Sequence, residues 1–250
     1  MRPVPFATLN NVRLYYEEEG EGSPVLLLHN YFGTLEAWSA QREALSREYR
    51  VVIADARGHG RTTYPGGRLR LIDFADDIAQ LIRFLNIAEA HIVGSSLGAQ
   101  VGLHLAREEP RLVQTLTAVD PPHLAEPTTQ AYMERVEEAF PATEERLESE
   151  HAGQKPEHVR SVLLRNFMLD KEETPRDQAE TTELAGRIAC PTLVVGGDND
   201  PVFPVWRAVE LWEKIPDSEL LILPRAGHFP HHTSPEVFNE VLLAFLRRRS

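Results

Sequence analysis

The sequence has few of the features that mark secreted, membrane or disulfide-bonded proteins. Its single cysteine, Cys190, cannot form an internal disulfide, and its place beside an apolar run predicts a buried, inert thiol. The longest apolar runs have the length of a strand and are far too short to span a membrane. The first residues carry one arginine but no continuous apolar stretch. We therefore expect no secretory signal and a cytoplasmic protein.

Basic residues are scarce as well. The 250 residues include 38 acidic and 26 basic side chains, for a formal net charge of −12, and the only basic cluster is the triple arginine at positions 247–249. An acidic surface repels phosphate backbones, which argues against nucleic-acid binding. We expect a small-molecule partner, and a chain that is a monomer or a homodimer.

The sequence also lacks the spacing of a metal site. His231 and His232 lie close to His228, but no cysteine or carboxylate completes a zinc signature. We therefore interpret His231 and His232 as surface residues or as supporting neighbours of His228. No metal ion and no organic cofactor is expected.

What the sequence does contain is a series of short apolar runs typical of strands covered on both faces. They fall at residues 25–28, 51–54, 91–93, 115–119, 192–195 and 219–223. An imperfectly alternating run at 12–17 suggests an exposed antiparallel strand. Helical patterns alternate with these runs at 35–48, 73–86 with Asp73 as N-cap, 97–109, 205–214 and 234–248. This alternation predicts an α/β fold built on a mostly parallel sheet.

One long stretch interrupts the series. Residues 121–187 are acidic and helical in pattern and contain no convincing strand. We predict an inserted helical cap there, with residues 1–120 and 188–250 forming one core. Such a cap would lie over the strand ends at which folds of this type bind ligands.

The most informative segment is Gly94-Ser95-Ser96-Leu97-Gly98, which stands between an apolar run and a helical pattern. A G-x-S-x-G turn between a strand and a helix is typical of a nucleophile elbow, whose glycines allow a sharp bend. Ser96 is the predicted nucleophile. Ser95 is the weaker alternative, because the glycines around it have the wrong spacing.

A serine nucleophile needs a base and an acid that orients the base. His228 follows an apolar run within Ala226-Gly227-His228, and we expect Gly227 to allow the tight backbone that aims this imidazole inward. Asp200 is the preferred acid. Asp198 and Asp120 remain alternatives, the latter because it ends the run that precedes the predicted cap.

Four segments in this order resemble the α/β-hydrolase family. His29 to Gly33 matches the family's H-G-x-x-G loop, and Asp55 to Thr62 resembles its D-x-R-G-x-G-x-S segment. The segment from Gly197 to Pro204 is similar to the acid loop, and Gly227-His228 matches the histidine loop. The resemblance covers nearly the whole chain. It implies an eight-stranded, mostly parallel sheet with a cap, and an oxyanion hole made by the backbone N–H groups of Tyr31 and Leu97.

The sequence departs from the family pattern at Asn30, where glycine is usual. The chain resembles haloalkane dehalogenases in having an asparagine at this position. Those enzymes and the epoxide hydrolases use a carboxylate nucleophile, however, so Ser96 argues against both of these activities. The asparagine side chain could crowd the turn or add a polar group to the pocket.

The resemblance implies acyl transfer by a Ser96–His228–Asp200 triad, and a carboxylesterase acting on small to medium esters is our first expectation. Enol-lactonases, carbon–carbon bond hydrolases and cofactor-free perhydrolases resemble the same chain and remain alternatives. A small-molecule receptor is a further alternative from a different class of protein. The expected substrate pocket is mainly apolar and is formed by His29, Asn30, Phe32, Leu124, Val202, Phe203 and Phe229.

Overall fold

A computed structural model describes residues 6–31, 33–63, 70–122, 131, 134–135 and 183–249. Eight strands form one sheet in the order β1-β2-β4-β3-β5-β6-β7-β8. Only the pairs β1–β2 and β2–β4 are antiparallel, and all the others are parallel. The strands are β1 (Phe6–Leu9), β2 (Val12–Glu19), β3 (Pro24–Leu28), β4 (Arg50–Ala54), β5 (Ala90–Ser95), β6 (Val113–Val119), β7 (Thr192–Gly197) and β8 (Ser218–Leu223).

Helices cover both faces of this sheet. Within the ranges that the structure describes, the α-helices with defined bounds are α1 (Ser39–Leu45), α2 (Leu71–Phe84), α3 (Leu97–Glu108), α4 (Val205–Lys214), α5 (Pro230–Thr233) and α6 (Pro235–Arg247). Successive strand residues point to opposite faces. Accordingly Leu26 and Leu28 pack with α2 and α3, whereas Val25 and Leu27 pack with α1 and α6. The two apolar layers explain why the central strands are continuous hydrophobic runs.

Three details differ from the sequence-based expectations. The predicted helix at 35–48 is a 3₁₀ turn, Leu35–Trp38, followed by α1. Helix α2 begins two residues before Asp73, which is not the N-cap: its carboxylate accepts a hydrogen bond from the backbone N–H of Arg70, at 3.1 Å. Strand β2 is not exposed, because β1 covers one of its edges and four of its residues are buried: Val12, Leu14, Tyr15 and Tyr16.

The expected cap at 121–187 falls mostly outside the described residues, so its boundaries and its helical structure stay predictions. Strand β6 leads into it, and the 3₁₀ turn Leu184–Arg187 precedes β7 on the other side. In the described parts of the chain, no helix has the length and apolar character needed to cross a membrane.

Candidate active site

Ser96 occupies the tight turn between β5 and α3. Its backbone has φ 54° and ψ −114°, a left-handed conformation that non-glycine residues rarely adopt. The backbone N–H of Ser96 donates to the carbonyl oxygen of Val119, 2.8 Å away on the neighbouring strand β6. Strand pairing therefore continues into the turn and holds the serine in its strained geometry.

Two glycines make this turn possible by close packing rather than by positive φ. A Cβ at Gly94 would overlap with the carbonyl group of Gly98, and a Cβ at Gly98 would overlap with the carbonyl oxygen of Leu28 on β3. Helix α3 can therefore cross the sheet this closely only because both positions lack side chains. The geometry confirms the elbow that the G-x-S-x-G spacing predicts.

The side chains of Ser96, His228 and Asp200 form one hydrogen-bonded chain. His228 Nε2 lies 2.9 Å from Ser96 Oγ, and His228 Nδ1 lies 2.8 Å from Asp200 Oδ2. The second oxygen of Asp200 accepts the backbone N–H of Val202 at 2.7 Å. The Asp200 side chain is fully buried, whereas that of His228 keeps 12% of its surface exposed. The His228 ring is thus reachable from solvent, and the Asp200 carboxylate beside it is shielded.

The acid loop and the histidine loop are tied together by Asp198. Its carboxylate accepts the backbone N–H of Ala226 at 3.2 Å, while the N–H of Asn199 donates to the carbonyl oxygen of Ala226 at 2.9 Å. Asp198 therefore stabilises the loop, and the described geometry places Asp200, not Asp198, on the imidazole.

The expectation about Gly227 is wrong. This glycine has no positive φ, and a Cβ there would have open space around it. The left-handed residue of the loop is Arg225, at φ 58°. The glycine that matters is Gly197 at the end of β7, where a Cβ would overlap with the carbonyl oxygens of Ala226 and Gly227. Close approach of two loops, rather than a bend before His228, brings the imidazole to Ser96.

The loop after β3 has a defined hydrogen-bonding pattern around His29. The backbone N–H of Ala56 donates to His29 Nε2 at 2.9 Å, so the ring proton must be on Nδ1, which donates to the carbonyl oxygen of Asn30 at 2.7 Å. The N–H of Gly33 reaches the same carbonyl at 3.2 Å. Because the C=O and N–H of a trans peptide point in opposite directions, these bonds fix the direction of the Tyr31 N–H.

His59 holds the same loop from the neighbouring segment. Its Nε2 lies 2.6 Å from the carbonyl oxygen of Tyr31, and its Nδ1 lies 3.0 Å from that of Arg57. The other predicted oxyanion donor, the N–H of Leu97, is at the first position of α3, where no carbonyl of the helix is available to it. A helix N-terminus is favourable for a developing negative charge.

Asn30, the departure from the family pattern, folds back on its own loop. The residue is buried, and a Cβ at Gly33 would lie 2.7 Å from its side-chain oxygen. The glycine at position 33 thus makes room for the asparagine at position 30. The sequence alone gives no reason to connect these two residues.

The other residues predicted to line the pocket are placed as follows. Val202 and Phe203 are buried beside the acid loop, and the ring of Phe229 packs on that of His228 with centroids 4.9 Å apart. Both ring nitrogens of His29 face backbone groups. Phe32 and Leu124 lie outside the described residues. The shape of the pocket is therefore still a prediction.

Asp120, the rival acid, lies next to the triad rather than in it. It follows β6, adopts φ 45°, is fully buried, and accepts the N–H of Gly197 on Oδ1 at 3.2 Å. Burial, and then the charge of Asp200, raise the pKa of Asp120 well above its usual value. Asp120, Asp200 and His228 lie close together, with one oxygen or ring-nitrogen atom of each within 4.8 Å of the others.

His231 is a core residue, not a surface histidine. It is completely buried and stacks on Trp38 with ring centroids 4.5 Å apart. Burial lowers the pKa of His231 well below its ordinary value, so the ring is neutral. His232 is the more exposed neighbour, and its Nε2 lies 2.7 Å from the carbonyl oxygen of Ala37.

Comparison with known proteins agrees with this geometry. The family described as "alpha/beta hydrolase fold" matches residues 23–158, more than half of the chain. The chain is an α/β-hydrolase. A second family, described as "TAP-like protein", matches residues 167–249 of this α/β-hydrolase.

Two relatives are 30% identical to this α/β-hydrolase. One is the "Dihydrolipoyllysine-residue acetyltransferase component of acetoin cleaving system" of Pseudomonas putida, with 94% of this chain and 66% of that protein aligned. The chain thus spans just under two thirds of that relative. The other is named "Putative carbamate hydrolase RutD" in Agrobacterium fabrum, with 91% of this chain and 94% of that protein aligned.

Solved structures give the same fold. A serine hydrolase involved in carbazole degradation (CarC enzyme) superimposes with a TM-score of 0.81 at 26% identity, covering 98% of both chains. A thermophilic esterase from Thermogutta terrifontis superimposes with a TM-score of 0.78 at 26% identity, covering 98% of this chain and 99% of the other.

Proposed function

We propose that this α/β-hydrolase is a serine hydrolase that cleaves carboxylic esters through an acyl-enzyme on Ser96. The observation that carries the proposal is the unbroken hydrogen-bonded chain from Ser96 Oγ through His228 to the buried Asp200 carboxylate. A hydroxyl, an imidazole and a carboxylate in this order are the parts that acyl transfer requires.

Each part has a defined task in this mechanism. His228 Nε2 takes the proton of Ser96 as Oγ attacks the carbonyl carbon, and the backbone N–H groups of Leu97 and Tyr31 hold the resulting oxyanion. His228 then gives the proton to the leaving alcohol, and the acyl-enzyme remains. In the deacylation step, His228 removes a proton from water as the water attacks the acyl carbon, and it then returns that proton to Ser96 Oγ as the acid leaves. Asp200 keeps Nδ1 protonated throughout.

The choice of an ester rests on the surroundings of the triad. The ring of Phe229 packs on that of His228, and the apolar residues Val202 and Phe203 follow Asp200 in the acid loop. An apolar neighbour of the triad favours an uncharged substrate with an apolar group. The likeness to a thermophilic esterase supports the same substrate class. Hydrolysis of a carbamate, a lactone or a carbon–carbon bond next to a carbonyl also involves attack on a carbonyl carbon. These substrates are therefore assayed beside the esters.

The first test compares two adjacent serines. We expect the native protein to turn over p-nitrophenyl acetate and butyrate many times, and Ser96→Ala to reduce kcat by at least about 10³-fold. Ser95→Ala is the matched control. Its hydroxyl is buried without a hydrogen-bond partner among the described residues, so removing it should leave activity and stability nearly unchanged.

Three outcomes would overturn the proposal. Full activity in Ser96→Ala would remove Ser96 from the nucleophile's role. A native protein that is labelled at Ser96 by a fluorophosphonate but prefers a carbamate, a lactone or a diketo acid over every ester would keep the mechanism and change the substrate class. A receptor would instead show saturable binding with very slow turnover.

A further inference from the structure

Two buried carboxyl groups meet behind His228, and the triad accounts for only one of them. The oxygen atoms of Asp120 and Asp200 and the ring nitrogen of His228 lie within 4.8 Å of one another. Each oxygen of Asp200 already has one partner, since one faces His228 and the other accepts the N–H of Val202. A carboxylate oxygen can accept a second hydrogen bond. Asp120 has one backbone donor, from Gly197, and its Oδ2 has no partner by hydrogen-bond geometry among the described residues.

Two carboxylates this close in a buried site repel each other strongly when both are ionised, so one of them is expected to hold a proton. Asp200 is the group whose charge is compensated, by the imidazole and an amide. Asp120 is completely shielded from solvent, and no cation faces it among the described residues. The state with the proton on Asp120 is therefore lower in free energy than the state with the proton on Asp200. A protonated carboxyl is also the only form of this residue that can donate a hydrogen bond.

We propose that Asp120 stays protonated through the reaction and directs its O–H toward the Asp200 carboxylate, as a positioning residue for the acid of the triad. The inference rests on the proposed function of Ser96, His228 and Asp200. It gives the unpartnered oxygen a role and explains how a carboxyl can end β6 next to a second carboxyl. The raised pKa of Asp120 has the direction that this arrangement requires.

The surrounding charges agree with a neutral Asp120. From β7 and its loop, the titratable group that faces it is Asp200, whose negative charge favours the protonated form of Asp120. On the histidine side, His228 bonds to Asp200, and His231 is held neutral by burial. These described groups include no lysine or arginine that would stabilise an ionised Asp120.

The test replaces Asp120 by its neutral isostere and measures a pH profile. The readout is the second-order rate constant for labelling of Ser96 by a fluorophosphonate, which does not depend on the natural substrate. The side-chain amide in Asp120→Asn would still accept the Gly197 N–H and donate to Asp200. With a neutral aspartic acid in the native protein, this variant should keep the labelling rate within about threefold and leave the midpoint of its acid limb unchanged.

An ionised Asp120 would shift the acid limb of the pH profile in a known direction. If Asp120 were ionised, Asp120→Asn would remove a negative charge within 4.8 Å of the His228 ring nitrogen. The imidazole would then hold its proton less tightly, and the acid limb would move to lower pH by about one unit or more. Such a shift would overturn the proposal.

Asp120→Leu separates positioning from mere packing. Leucine fills the volume but cannot donate, so labelling should slow by about 10- to 100-fold in folded protein, the cost of one hydrogen bond to a charged group. Equal labelling rates for the leucine and asparagine variants, with matched folded fractions, would contradict the positioning role of Asp120.

Infrared spectroscopy provides a check that needs no turnover. The native protein should show the C=O band of a protonated carboxyl group, and Asp120→Asn should lack this band.

These outcomes are distinct from a failure of the proposed function. If the native protein is not labelled at Ser96 at all, the mechanism itself is wrong. If it is labelled and the acid limb moves in Asp120→Asn, only the protonation of Asp120 is wrong.

Discussion

At the scale of single residues, three histidines around the site have different duties that their hydrogen bonds define. His228 joins Ser96 to Asp200 and is partly exposed. His29 carries its proton on Nδ1, because Nε2 accepts the N–H of Ala56. His59 lies between two backbone carbonyls, with Nε2 2.6 Å from that of Tyr31 and Nδ1 3.0 Å from that of Arg57. The latter two hold the loop that supplies the predicted oxyanion donor.

This arrangement makes a prediction for His59. His59→Phe keeps an aromatic ring against Tyr31 and Phe74 but loses the hydrogen bond to the Tyr31 carbonyl. We expect kcat for ester hydrolysis to fall by about 10- to 100-fold with little change in KM, because the loosened loop stabilises the transition state less well. Binding of a boronate analogue should weaken in parallel, whereas binding of the carboxylate product should not. Unchanged kcat in a folded variant would show that His59 does not position this loop.

At the scale of elements, the site depends on how closely loops and helices cross the sheet. The helical and strand patterns locate every described strand except β1 and every described α-helix except α5, and they give α4 the bounds that it has. The patterns could not show that the helix at 35–48 would be divided, nor that Asp73 would lie inside α2, because both depend on packing against neighbours.

The crossing of α3 over β3 can be tested with two glycines. Gly98→Ala places a Cβ against the carbonyl oxygen of Leu28, so we expect a loss of about 3 kcal/mol or more in the free energy of unfolding, measured by urea denaturation. Gly227→Ala is the matched control in another loop of the site. Its Cβ meets no atom within 4 Å, and the stability should change by less than about 0.5 kcal/mol. Equal effects of the two substitutions would contradict the packing argument.

At the scale of the whole molecule, buried neutral histidines should make the fold sensitive to acid. His91 is fully buried on β5, with its Nδ1 2.9 Å from Thr115 Oγ1. Burial lowers the pKa of His91 from 6.5 to about 4. Since the unfolded chain then binds the proton more readily, the stability from this residue is complete above pH 6.5 and is lost as the pH falls toward 4.

The size of this effect can be measured. By pH 5, the lower pKa of His91 corresponds to about 2 kcal/mol of lost stability. His91→Gln cannot take up a proton. Between pH 7 and pH 5 its free energy of unfolding should therefore fall by about 2 kcal/mol less than that of the native protein. Urea titrations of both proteins at the two pH values provide the comparison. Parallel declines would show that His91 does not contribute to acid sensitivity.

The sequence by itself determined the fold class, the elbow with Ser96 at its tip and the histidine loop with His228, because strand periodicity, the G-x-S-x-G spacing and the loop motifs are local patterns. It preferred Asp200 as the acid but left Asp198 and Asp120 open. Tertiary structure decided what depends on distant neighbours. It brought Asp200 rather than Asp198 to the imidazole of His228 and placed Asp120 close to Asp200. It also showed that the close approach of the two loops requires a glycine at position 197 and not at position 227. These features arise where the carboxyl ends of different strands meet at one edge of the sheet, a proximity that no single segment encodes.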